Sequence, residues 1–171
     1  MTQAAGAQKP MEPLSMEAYA HKQAIGDVIV NVVLTVLING LLTGGMTSIP
    51  GSLPMGDTAP SLGGTLVGIA VLQSALLTPI VFAMTVAQRK SGKVMPPLGP
   101  GVRAGGAATR LTLLHLAVTL VGAIGLGMMI KAVAPDLALS RWGFVGLAGV
   151  ISGALAWVLS RSTTRRALSL G

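Results

Sequence analysis

The sequence predicts an all-α integral membrane protein: four transmembrane helices arranged as two hairpins, with the N- and C-termini both inside. Three observations carry that reading. Only 10% of the 171 residues are charged while 51% are hydrophobic, and mean hydropathy is +0.73; soluble domains carry about 25% charged residues. Four apolar stretches, about residues 28–46, 62–87, 111–130 and 142–160, reach the roughly 20 residues a helix needs to cross a hydrocarbon core about 30 Å thick. The basic residues also alternate by loop. Ten of the twelve Lys and Arg residues fall before the first stretch, between the second and third, or after the fourth. The positive-inside rule makes those segments cytoplasmic, which places a multi-pass protein in the plasma (inner) membrane with both termini cytoplasmic.

Residues 1–14, with Lys9, Pro10, Glu12 and Pro13, read as a disordered cytoplasmic tail. No apolar run precedes Ile25, so this is not a cleavable signal peptide. Residues 15–171 form a single domain. Ser15 is placed to cap a helix that runs into the first span, with Tyr19 near the interface. After that span, Pro50, Pro54 and Pro60 with Gly51 and Gly56 stop one helix and delay the next, and Asp57 or Thr58 is placed to cap the second. Thr78 and Pro79 lie two-thirds along the second span. A proline there removes one backbone hydrogen bond and kinks the axis.

The central loop, RKSGKVMPPLGPGVRAGGAATR, is rich in Gly, Pro and positive charge and is expected to be mobile or to lie along the headgroups. Net charge is +7 and the pI about 11, a balance that elsewhere raises nucleic acid as a partner. Here the charges set orientation and meet anionic lipid headgroups, and no nucleic-acid partner is expected. Trp142 and Trp157 fall near opposite ends of the fourth span, where an aromatic belt places them.

The chemistry concentrates on the first span. Asp27, Asn31, Thr35 and Asn39 recur every fourth position, and side chains three and four apart share a helix face. Each step advances about 400°, so the row drifts about 40° per step and winds around the helix. A winding row suits a helix crossing its neighbours better than a straight pore wall. Polar groups in hydrocarbon are costly, and an ionisable one marks a candidate site. Gln73 on the second span and Thr112, His115 and Thr119 on the third extend the polar set. Topology places Asp27 and His115 in one leaflet, where a carboxylate facing an imidazole would share a proton with it. The plainer alternatives are interhelical hydrogen bonds for the row and a backbone carbonyl or Thr119 for His115.

Small residues form a second pattern. Gly64 with Gly68 and Gly149 with Gly153 repeat at the spacing that favours tight helix packing. Several chemistries are disfavoured. There is no cysteine, which removes disulfides, thiolate metal sites and cysteine nucleophiles. Met46, Met55, Met128 and Met129 form no spaced thioether cluster for copper. GPGVRAGG has the wrong glycine spacing for a dinucleotide fingerprint, and no Ser is flanked as in a nucleophile elbow.

RKSGK at Arg89–Lys93 resembles the basic loop between the second and third helices of major-facilitator transporters, except that Arg89 stands where that family carries an acid. Small multidrug-resistance transporters also have four helices, with a buried glutamate that no span here contains. Neither family is assigned. The expectation is a non-enzymatic structural or partner-binding membrane subunit without a cofactor, associating with a second copy or a membrane-protein partner. The alternative is a small oligomeric transporter or channel, proton-coupled through Asp27 and His115.

Overall fold

The computed structural model describes residues 13–50, 61–99, 101–102 and 104–170. Within them, four helical segments are long and apolar enough to cross a bilayer. They are α1 (Met16–Leu42); a second segment built from α2 (Leu62–Leu72), a π-helical turn (Gln73–Leu77) and α3 (Thr78–Lys90); α4 (Gly105–Val133); and α5 (Arg141–Leu168).

Ser15 caps α1, its hydroxyl accepting the Ala18 N–H at 3.2 Å. The helix ends at Leu42, short of the expected residue 46: Thr43 is its C-cap, with N–H and hydroxyl both on the Asn39 carbonyl, and the Gly44 N–H turns tighter to the Leu41 carbonyl. Gly45 follows at φ +86°, a left-handed conformation that glycine adopts without a Cβ penalty. Ser61 caps the second segment by accepting the Gly64 N–H. The alternatives Asp57 and Thr58, with Gly51, Pro54, Gly56 and Pro60, lie outside the described residues. The proline distorts the second segment as a widened turn just upstream. Pro79 has no N–H for the carbonyl four residues back, and its ring crowds that position; the π turn over Gln73–Leu77 gives the room.

The helices lie side by side in the order α4, second segment, α5, α1. Contacts of α1 are made chiefly with α5, and those of α4 chiefly with α2 and α3. Close packing therefore joins the first span to the fourth and the second to the third, which differs from the two hairpins expected. The inner and outer members are distinct: 44% and 50% of the apolar stretches of the second segment and α5 are buried, against 11% for α1 and α4.

One end of the bundle is closed by a two-stranded antiparallel ribbon that the all-helical expectation omitted. In it β1 (Ser48–Pro50) pairs with β2 (Ala138–Ser140), Ile49 opposite Leu139. Ile49 is fully buried and joins Leu62, Leu66, Phe144 and Val145 in one apolar cluster. Burial of that side chain fixes the pairing of two segments too short to be read as strands.

The other end gathers both termini and the central loop. The Leu14 N–H reaches the Lys93 carbonyl at 3.1 Å, and Val94 packs with Tyr19 and Leu168. Leu14 thus belongs to the packed structure rather than to the tail; residues 1–12 lie outside the described residues, as does Arg103 of the loop. Arg89 clamps the same end. Its Nη1 donates to the carbonyls of Ala167 (3.0 Å) and Leu170 (2.6 Å) and its Nε to that of Pro96 (3.1 Å). A guanidinium with 3% exposure thereby neutralises the negative end of the α5 dipole and holds the start of the loop in place. Arg89 is consequently withdrawn from the headgroup role expected of the basic loop.

Candidate functional site

The polar row of α1 faces α5. Gln23 Nε2 donates to both Asp27 carboxylate oxygens at 3.1 and 3.3 Å, and the Ser160 hydroxyl of α5 donates to Asp27 Oδ2. Thr35 Oγ1 donates to Ser152 Oγ at 2.7 Å. The two asparagines turn inward on their own helix: Asn31 Nδ2 donates to the Asp27 carbonyl (2.8 Å) and Asn39 Nδ2 to that of Thr35 (2.9 Å). Each amide thus occupies a carbonyl one turn back, so only Asp27 and Thr35 join helices through their side chains.

Ser152 is the hub of the arrangement. Its hydroxyl accepts from Thr35 and from Gln73 Nε2 (2.6 Å) and donates toward the Asn31 carbonyl (3.4 Å). Gln73 Nε2 also reaches the Ser152 carbonyl at 3.1 Å, which fixes the amide orientation because only the nitrogen can donate there. One serine thereby ties α1, the π turn and α5 together. Among the described residues, Gln73 Oε1 is buried without a partner, leaving one acceptor free where the helix is widened.

A second polar cluster lies on the opposite side of α5. His115 Nδ1 is 3.0 Å from the Thr78 hydroxyl and Nε2 is 3.2 Å from that of Ser162. Thr119 Oγ1 lies 2.8 Å from Ser74 Oγ and donates back to the His115 carbonyl at 2.7 Å. The imidazole therefore bridges three helices through hydroxyls. Asp27 and His115 are not brought together. They bond to Ser160 and Ser162, and residues two apart on a helix point about 200° apart, so α5 stands between them.

The glycines divide in the same way. A Cβ on Gly153 would lie 2.7 Å from Val32 Cγ2, and one on Gly149 would lie 3.0 Å from Val36 Cγ2. Valines every fourth residue on α1 thus sit in a groove that glycine opens in α5. On the second segment, a Cβ on Gly68 would meet nothing within 4 Å, and one on Gly64 only its own capping Ser61 hydroxyl. Among the described residues, that pair serves no helix contact.

Reasoning from the sequence singled out one side of each side-chain bond between helices in these two clusters and missed Gln23, Ser74, Thr78, Ser152, Ser160 and Ser162. One signal was available: Gly149, Ser152, Gly153, Ala156 and Ser160 follow helical spacing and form a single small-residue face. Among the described residues, no group of three or more His, Cys, Asp or Glu is placed to hold a metal. Chemically, the arrangement offers hydroxyls and amides bonded across helices and a carboxylate bonded by a serine and a glutamine. The chain matches no family model, no curated protein and no solved structure.

Proposed function

We propose that the chain is a non-enzymatic subunit of the inner membrane, multi-pass with both termini cytoplasmic, whose polar and glycine contacts hold its own fold and whose outer faces meet lipid and a protein partner or second copy. The observation that carries this reading is where the polar groups spend their hydrogen bonds. Asp27, Thr35, Gln73, His115 and Thr119 each bond to another helix. Such interhelical bonds average about 0.6 kcal/mol and reach about 2 kcal/mol, enough together to specify a bundle in lipid. The outer faces are apolar: Leu34, Leu37 and Leu41 on α1 and Leu113, Val118 and Val121 on α4 are each at least half exposed. The shared position of the termini and central loop at one end of the bundle, and the excess of Lys and Arg there, support the cytoplasmic assignment of that end.

Extraction in mild detergent, followed by affinity purification, tests the subunit reading. A stoichiometric partner or a dimer is the expected result, and a chain that always emerges alone and monomeric refutes it. Reporter fusions at each terminus check the orientation, with both expected to report cytoplasm.

One observation favours an oligomeric transporter as the second reading: the free, buried Gln73 Oε1 at a π turn, a distortion often found at functional sites. For that reading, Asp27→Asn abolishes pH-dependent flux in proteoliposomes. Flux no greater than in empty vesicles across many solutes removes it.

A further inference from the structure

Between α4 and α5, at the end that holds the termini, runs an open groove of about 740 Å³. A second recess of about 380 Å³ continues it past Arg110 and Gly106. Each wall is one helix face. Ala107, Arg110, Leu111 and Leu114 come from α4 at i, i+3, i+4 and i+7 spacing; Val158, Arg161, Arg165 and Arg166 come from α5 at i, i+3, i+7 and i+8. From Trp157 to Ser169 the groove runs twelve residues, about 18 Å at helical rise. One leaflet with its headgroup region is about 20 Å deep.

Polarity along the groove is graded. Leu111, Leu114, Trp157 and Val158 make the inner part apolar, while the four arginines ring the outer mouth. Among the described residues, no carboxylate lines it and no ion pair engages these arginines. Glu17 lines an adjoining recess against α1 that shares Arg161, Arg165 and Ser169 with the groove, without an ion pair to either arginine. Arg161 is held in place by the face of Trp157, 5.7 Å from the ring centroid, and Trp157 by the edge-on ring of His21 at 5.6 Å. Three like charges within two turns of α5, with Arg110 across the groove on α4, repel one another, and a phosphate shared between planar guanidiniums relieves that repulsion with bidentate hydrogen bonds.

We infer that the α4–α5 groove binds an anionic phospholipid, its phosphate among Arg110, Arg161, Arg165 and Arg166 and an acyl chain along Leu111, Leu114 and Val158. Charge complementarity at the mouth and the match of groove length to one leaflet select a lipid over a soluble anion, which would leave the apolar floor uncovered. Arg110, read from the sequence as the end of the central loop, lies on α4, which begins at Gly105; the site is distinct from the start of that loop, where Arg89 is already consumed. It rests on the bilayer part of the function proposed above and is independent of a protein partner.

The chain has two tryptophans, so Trp142→Phe leaves Trp157 as the reporter with every arginine intact. Vesicles are prepared in which bromine sits on the acyl chains of either phosphatidylglycerol or phosphatidylcholine, the two lipids being mixed equally. Bromine on phosphatidylglycerol is expected to quench Trp157 more strongly, and equal quenching overturns the site while leaving bilayer residence intact. No quenching by either lipid, with release by alkaline carbonate, overturns the bilayer reading as well. Loss of the preference on adding inorganic phosphate would assign the arginines to a free anion and overturn the lipid. The paired variant R110Q/R166Q is expected to lower retained phosphatidylglycerol, counted by native mass spectrometry, about tenfold or more. K90Q/K93Q, which removes equal charge from the central loop, should leave it nearly unchanged. Equal losses from both pairs would reduce the effect to non-specific attraction and overturn the proposal.

Discussion

Along its length, α5 meets two outer helices in different ways. Toward α1 it presents Gly149, Ser152, Gly153 and Ser160, and valines 32 and 36 approach its backbone until no Cβ fits at Gly153. Toward α4 it presents Trp157, arginines and Ser162, and the helices stand apart around a groove crossed by the bond from His115 to Ser162. The outer helices themselves are equally apolar and equally exposed. What differs is the row of small residues on α5. Helix association in lipid depends on close packing rather than on apolar burial, so the face with glycine closes and the face with long side chains stays open.

The closed side should therefore be the more sensitive to added volume. Gly153→Leu is expected to cost at least about 3 kcal/mol, because overpacking alone costs about 1–3 kcal/mol and here the first added carbon already overlaps Val32. Unfolding in mixed micelles monitored by circular dichroism measures it, and Val32→Ala in the same chain should recover part of the loss. Gly146→Ala is the control: its Cβ meets nothing within 4 Å, and alanine gains up to about 1 kcal/mol in helix propensity. Equal losses at positions 146 and 153 would show that glycine acts through flexibility and not through contact.

Next in size is the hub. Ser152→Ala removes the acceptor of Thr35 and one of the two acceptors of Gln73, and is expected to cost about 1–2 kcal/mol. A double-mutant cycle with Thr35→Val should show coupling of about 0.5 kcal/mol or more. Purely additive effects would mean that the 2.7 Å bond contributes nothing to the α1–α5 contact.

The contrast between the two faces also explains what the sequence disclosed. Apolar length was enough for four helices, since each stretch is long and apolar enough to cross a bilayer. The Ser15 cap and the disturbance at Pro79 were likewise local, and local chemistry decides them. Which helix packs on which was not legible, because apolar stretches of similar composition carry no partner label. The α1 row was visible as a spacing of polar residues, but its bonds to another helix end on Ser152 and Ser160, and single serines are common in membrane helices for many reasons. Arg89 was misread because charge counting treats every arginine as solvated, whereas its role depends on carbonyls 78 and 81 residues away. The β1–β2 pairing rests on three residues on each side and on the burial of Ile49, too little pattern for any periodicity to reveal.

The smallest expected effect lies on the open side, and it is the sharpest check on the comparison. Ser162→Ala deletes the hydroxyl 3.2 Å from His115 Nε2, but Ser162 is exposed and water can replace it, so a cost under about 0.5 kcal/mol is expected. α4 keeps its place through the second segment, where Thr78 and Ser74 still hold His115 and Thr119. His115→Ala should cost more than Ser162→Ala, since it leaves the buried Thr78 hydroxyl without that partner. The order to test is thus Ser152→Ala above His115→Ala above Ser162→Ala, all measured by the same unfolding assay. If Ser162→Ala costs as much as Ser152→Ala, the groove is a closed interface held by one hydrogen bond. In that case the four arginines at its mouth would no longer flank an opening wide enough for an acyl chain.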